Sequence, residues 1–214
     1  MISRTTLAES VASALRHAIL DGAYLCGERL VELSIAQEMN VSQNTARDAL
    51  RLLEQDGLVV KRARLGTYVR DYSPDEVIEI YALWAAVEDL ALGWAAERIT
   101  SDQIVDLNQL LHEFRDHARV DTRFQLHAVL AGAAGRTRTG ELLNQLYNQV
   151  RLLENLRPPR SSTQKNEQLA VYTALVYAIS ARNADRAREV LYTHLIAEGE
   201  TLAAFVEAGD TARA

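Results

Sequence analysis

The sequence predicts a mainly α-helical protein: an N-terminal winged helix-turn-helix with a small β-hairpin wing, then an all-α bundle of six or seven antiparallel helices. Three observations predict it. Apolar residues make up 48% of 214, with only 3 prolines and 10 glycines, a composition that supports a core and favours helix over sheet. The stretch from Val31 to Leu58, VELSIAQEMNVSQNTARDALRLLEQDGL, reads as two short helices around a tight turn. Beyond Ser73, apolar residues recur almost continuously at helical spacing.

Residues 1–6 read as an arm. From Leu7 to Asp21, Val11, Leu15 and Ile19 mark one helix face, which Asp21-Gly22 ends. Leu33–Met39 forms the next helix, and Asn40 suits the left-handed turn after it. Ser42 caps a third helix, with Ala46, Leu50 and Leu53 on its apolar face. Gly57–Val60, the basic turn with Lys61, Arg62 and Arg64, and Gly66–Val69 form the wing, so the first domain spans 1–70. Residues 71–74 are a linker and 75–214 the second domain. Ser73 with Pro74 and Glu76 is a capping box that opens a helix to about Arg98, with Val77, Ile80, Tyr81, Trp84, Val87, Ala91, Trp94 and Ala95 as its stripe. Further helices run from a cap at Ser101, from Asp121 to Ala134, from Glu141 to Leu156, from Thr163 to Ala181, and from a cap at Asn183 through Ala184 to Ala208.

The single cysteine, Cys26, excludes an intramolecular disulfide and suits a reducing compartment. It reads as a small buried residue. No apolar run approaches the ~20 residues of a membrane span, and the first residues lack the apolar stretch of a signal peptide. A cytoplasmic protein without membrane contact is expected. The net charge of −6 is uneven: residues 1–72 hold nine Lys/Arg and nine Asp/Glu, and the acidic excess lies entirely beyond them. What matters for a polyanion is local placement. Gln43, Asn44, Arg47 and Arg51 project together from the third helix, opposite its apolar face, with Lys61 and Arg62 on the wing. Amide and guanidinium groups near a helix N-terminus are what base edges and phosphates require, so these residues point to double-stranded DNA and to salt-sensitive binding.

The stretch from Leu15 to Val69 resembles the GntR family of bacterial transcription regulators. It does so through IxxGxxxxGxxLxExxLA, VSxxTxRxALxxLxxxGLV and the GxxV of the wing. The second domain resembles the helical effector domain of the FadR subgroup, called FCD. The matching stretches are Tyr81–Ala96, Asp121–Phe124 and AISARNADRAREVLYTHL at Ala178–Leu195. The resemblance implies a homodimer on a pseudo-palindromic operator that responds to a small molecule in the helical domain. It puts DNA contacts at Ser42, Gln43, Asn44, Thr45, Arg47, Arg51 and Gly66. Relatives commonly carry Arg-Thr-Pro or Arg-Thr-Thr where this chain has Gln43-Asn44-Thr45, which shifts the expected preference toward adenine edges.

Many relatives hold a divalent metal through one Asp and three His. The resemblance places those positions at Asp121, Gln125, Tyr172 and His194. Amide and phenol oxygens replace imidazole poorly around a transition metal, so no metal cofactor is expected at this degenerate site. His127 and His112 are weaker replacements; His127 lies about 200° around the helix from Gln125. Relatives also carry Arg at the position of Trp84, so the pocket is expected to be aromatic, with Trp84, Tyr81, Tyr172 and Phe124 as walls. Asp121, Gln125, Tyr172 and His194 would orient an uncharged or less acidic organic metabolite, with Arg151 and Asn148 as weaker candidates for an anionic end. The leading reading is a ligand-responsive DNA-binding repressor. A metal-ion sensor of the same fold is the alternative. An enzyme is disfavoured, since neither GxSxG nor HExxH occurs.

Overall fold

The computed structural model describes residues 6–117 and 120–211. Residues 1–5 of the expected arm lie outside them, but Thr6 does not belong to it. It caps α1 (Leu7–Leu20), accepting from the Glu9 amide at 3.2 Å while Glu9 returns the bond. The chain forms two compact units, residues 1–72 with 148–156, and residues 73–147 with 157–214.

In the first unit, α1 is followed by β1 (Arg29–Leu30), α2 (Glu32–Glu38), α3 (Gln43–Gln55), β2 (Val59–Arg62) and β3 (Gly66–Val69). The α2–α3 turn closes because Asn40 adopts a φ of 51°, a conformation that Asn tolerates better than most side chains. Ser42 caps α3 by accepting from the Thr45 amide at 3.1 Å. Helix α1 packs against α3, and Leu15, Ile19, Ala46, Leu50 and Leu53 on these two helices are all buried. The expected hairpin is part of a three-stranded antiparallel sheet of order β1-β3-β2. Arg29 pairs with Tyr68, and Lys61 with Thr67. Asn155 belongs to this unit and donates to the Ile19 and Leu20 carbonyls at 3.2 Å, satisfying acceptors at the end of α1. Cys26 is part-buried; burial, then the Asp71 charge, pushes its thiol up to about 11, so it stays protonated.

The second unit is built from α4 (Pro74–Arg98), α5 (Ser101–His117), α6 (Val120–Ala134), the first part of α7 (Thr137–Glu154), α8 (Ser162–Ser180) and α9 (Ala184–Thr211). Ser73 and Glu76 form the capping box of α4, with Pro74 in its first turn. The cap of α5 is Thr100, bonded reciprocally with Gln103, and not Ser101. Helix α7 starts at Thr137, so Gly140 lies inside it and does not separate two helices. Asn183 caps α9 through the Arg186 amide at 3.0 Å.

Helix α4 packs most extensively against α9. Gly199 permits this, since a Cβ there would stand 2.6 Å from the Tyr81 Cβ. The buried stripe of α4 differs from the expected one in that Val87 and Trp94 are part-exposed and Glu88 is buried. No helix among the described residues is long and apolar enough to cross a membrane.

Candidate functional site

Two groups of side chains carry chemistry. The first lies on α3 and the wing. Ser42, Gln43, Asn44 and Arg51 are exposed, and Thr45 is part-exposed. Arg47 is held by Glu32 at the start of α2. Its Nε donates to Oε1 at 3.1 Å and its Nη2 to Oε2 at 2.8 Å. Gln43 also donates to Glu32, at 3.3 Å. The Arg47 side chain keeps 42% of its surface. A guanidinium gripped along its Nε–Nη2 edge still has Nη1 and the second Nη2 hydrogen for an outside acceptor. The Glu32 carboxyl is lowered first by the hydrogen bond from Arg47, so it stays ionised.

On the wing, Lys61 is exposed and Arg62 pairs with Asp71 at 2.9 Å while its guanidinium lies 4.6 Å from the Tyr68 ring centre. Gly66 has a φ of 112°, which a side chain would strain. Arg51 pairs with Asp48 at 3.1 Å.

The second group is buried among the helices of the second unit. Glu88 is 1% exposed, and its Oε1 accepts from Trp84 Nε1 at 3.1 Å and from the Tyr147 hydroxyl at 2.7 Å. His127 Nδ1 stands 2.7 Å from the same oxygen, and its Nε2 lies 3.0 Å from the Tyr172 hydroxyl. Desolvation and the Glu88 charge hold the Tyr147 phenol well above its ordinary pKa, so it remains a donor. Tyr172 meets His194 edge to face at 5.8 Å. Glu198 accepts from Arg160 at 2.8 Å and pairs with Arg157 at 3.0 Å. Burial opposes its charge, but the two guanidiniums prevail and lower its carboxyl. His194 is pushed down to about 4, first by burial, with Arg123, His127 and Arg160 adding to it against Glu198. It is therefore neutral near pH 7.

The predicted effector residues divide. Trp84 and Tyr172 are buried in this cluster, and His194 adjoins it. Asp121 and Gln125 are exposed, whereas Arg123 and His127, two positions on, are buried at 2% and 0%. The inward face of α6 is thus turned by two residues from the expected one, about 200° of helix. Packing against α4 decides this: Phe124 and His127 meet Trp84 at 6.0 and 4.9 Å. Arg151 and Asn148 fall in the first unit. Glu88, Arg123, Tyr147 and Glu198 escaped sequence reasoning. The available signals were Trp84/Glu88 and Arg123/His127, both pairs four residues apart and so on one helix face.

A divalent cation does not suit these side chains. Arg123 brings a guanidinium to the position that would need a carboxylate, Tyr172 offers a phenol, and both His127 nitrogens already have partners. Among the described residues, no three His, Cys, Asp or Glu side chains converge.

Comparison with known proteins agrees with this architecture. Residues 7–69 match "Bacterial regulatory proteins, gntR family", and residues 79–197 match the FCD domain. The chain is 25% identical over 206 residues to the uncharacterized HTH-type transcriptional regulator YdhC of Bacillus subtilis, covering 91% of this chain and 90% of that protein. It is 26% identical over 199 residues to the HTH-type transcriptional repressor RspR of Escherichia coli, covering 87% and 85%. A solved structure of a GntR regulator from Rhodococcus sp. RHA1 superposes with a TM-score of 0.78 at 25% identity, covering 91% and 96%. A recognition helix with a basic wing, joined in one chain to a helical FCD domain, places this protein in the GntR family of bacterial DNA-binding transcription regulators.

Proposed function

We propose that this regulator is a ligand-responsive repressor, acting in the cytoplasm as a homodimer on a pseudo-palindromic operator. Ser42, Gln43, Asn44, Thr45, Arg47 and Arg51 would lie in the major groove, with Lys61, Arg62 and Gly66 against the flanking backbone. The observation that carries the reading is the part-exposed guanidinium of Arg47, held in one orientation by Glu32. An ordered side chain loses less entropy on meeting a base than a free one. The repressor named among the relatives supports the direction of control.

The ligand would be a small organic metabolite received by the buried cluster around Trp84, Tyr172 and His194. It acts by population shift: a ligand that prefers one arrangement of the dimer changes the share of molecules whose recognition helices match the half-site spacing.

The test is an unbiased selection of bound duplexes with the purified protein, with its mass in solution measured in parallel. Enrichment of inverted repeats whose half-sites lie about one helical turn apart, with adenine at positions facing Gln43 and Asn44, is expected. A monomer that enriches no repeat overturns the proposal.

A further inference from the structure

Directly paired residues of an antiparallel sheet leave the same face of it. The register pairs both Arg29 and Val60 with Tyr68, and Arg62 with Gly66, so these residues share one face of the wing sheet. Leu30, Val59 and Val69 lie on the other face and are buried against the core. Two guanidiniums therefore stand on the outer face. Arg62 is committed, pairing with Asp71 at 2.9 Å and lying 4.6 Å from the centre of the Tyr68 ring. Arg29 is exposed, and its guanidinium makes no ion pair or hydrogen bond with any described residue. It crosses Gly66, where a Cβ would stand 3.2 Å from its Nε and 3.4 Å from its Nη2. Gly66 has no side chain to offer DNA; what it provides is room for Arg29 to reach toward the tip of the wing. The Tyr68 hydroxyl steadies that tip by donating to the Leu65 carbonyl at 3.3 Å. Lys61 leaves the opposite face. It adds to the Arg47 hydrogen bond in lowering the Glu32 carboxyl, so it stands on the side of the recognition helix.

We propose that Arg29 binds a DNA phosphate on the side of the wing away from the recognition helix, while Lys61 serves the near side. A groove of the duplex has a phosphate strand along each edge, so a hairpin with a cation on either face can meet both. The planar fork of a guanidinium matches two phosphate oxygens. Arg29 has no carboxylate to leave on meeting a phosphate, whereas Arg62 must part from Asp71. The inference rests on DNA binding by the first unit, and on neither the dimer, the ligand nor the direction of control.

The test uses the full chain on an operator selected from random duplexes, with affinity titrated over a range of salt. Arg29→Ala is expected to bind several-fold more weakly on all sequences alike, with a salt slope lower by about 1 and an unchanged melting temperature. Arg29→Lys should restore the slope, because the slope counts charge. Operators with single methylphosphonate substitutions locate the contact: one neutralised phosphate that weakens the wild type should leave Arg29→Ala unaffected. Should Arg29→Ala lose stability, Arg29→Gln, which keeps the stem across Gly66, takes the same readings. Wild-type affinity and slope in the variant, a changed base preference, or sensitivity to every phosphate that the wild type senses overturns the contact. If the wild type selects no operator, the repressor reading fails, and the contact is still read from the salt slope on random-sequence duplex. Loss of the contact with an operator selected leaves the regulator standing.

Discussion

Glu32 at the start of α2 grips Arg47 near the start of α3, with Nη2 2.8 Å from Oε2 and Nε 3.1 Å from Oε1. The pair is a surface one, and such pairs contribute little to stability. Its value lies in orientation. Arg47→Ala is expected to weaken operator binding by about 1–3 kcal/mol while leaving the fold intact. Glu32→Ala should keep the charge but lose the aim, with a smaller loss of affinity and a broader base preference. Mobility shifts on the selected operator and on single-base variants measure both; unchanged affinity in Arg47→Ala removes Arg47 from the interface.

The wing residues should behave differently. Lys61 is exposed, and Arg62 is divided between Asp71 and the Tyr68 ring. Replacing either by Ala should lower affinity almost equally on all sequences and reduce the salt slope by about 1. The slope comes from binding titrations over a range of salt. A change of base preference in place of the slope would show the wing reading sequence.

His194 makes the helical unit acid-sensitive. Its folded pKa is about 4, against the ordinary 6.5. Between these values the unfolded chain binds a proton that the folded chain refuses. The neutral imidazole's contribution is therefore complete above pH 6.5 and lost as pH falls toward 4. The difference amounts to roughly 3 kcal/mol. Urea midpoints should fall between pH 6.5 and 5 in the wild type and fall less in His194→Gln; parallel curves would exclude His194 as the cause.

The register of α6 can be tested by building a metal site. With Arg123 and His127 facing inward, Arg123→Asp with Tyr172→His supplies one carboxylate and three imidazoles, counting His194. That set suits Zn²⁺ or Ni²⁺. Calorimetry of the EDTA-treated double variant should show metal binding. Gln125→His with Tyr172→His should bind more weakly, without an inward carboxylate, and no more tightly than Tyr172→His alone, because position 125 faces solvent. The opposite result would return α6 to the face the sequence suggested.

The close approach of α4 and α9 is a packing prediction. Gly199→Ala would force its new methyl against Tyr81 and should cost about 1–3 kcal/mol through overpacking. Chemical denaturation followed by circular dichroism checks it, and an unchanged midpoint would mean that the helices can part at no cost.

Local rules made much of this protein legible from its residues alone. The capping box at Ser73, the cap at Ser42 and the left-handed Asn40 act over three or four residues, so the sequence displays both partners of each interaction. The apolar face of α3 and the polar face opposite it follow from helical period, and with them the DNA-binding character. Long-range choices were not legible. Strand β1 is two residues long and exists only because β3 lies beside it. Asp121 and Arg123 are equally compatible with helix α6, and either face could have turned inward. The packing of Phe124 and His127 on Trp84 decided between them, and Glu88 became buried because Tyr147, His127 and Trp84 meet its carboxylate from three helices. The sequence alone determined which helices form and what their polar faces offer to DNA, because those interactions are local. Only tertiary structure decided which charged side chains enter the interior, because burying a charge is tolerated only where partners from distant segments converge on it.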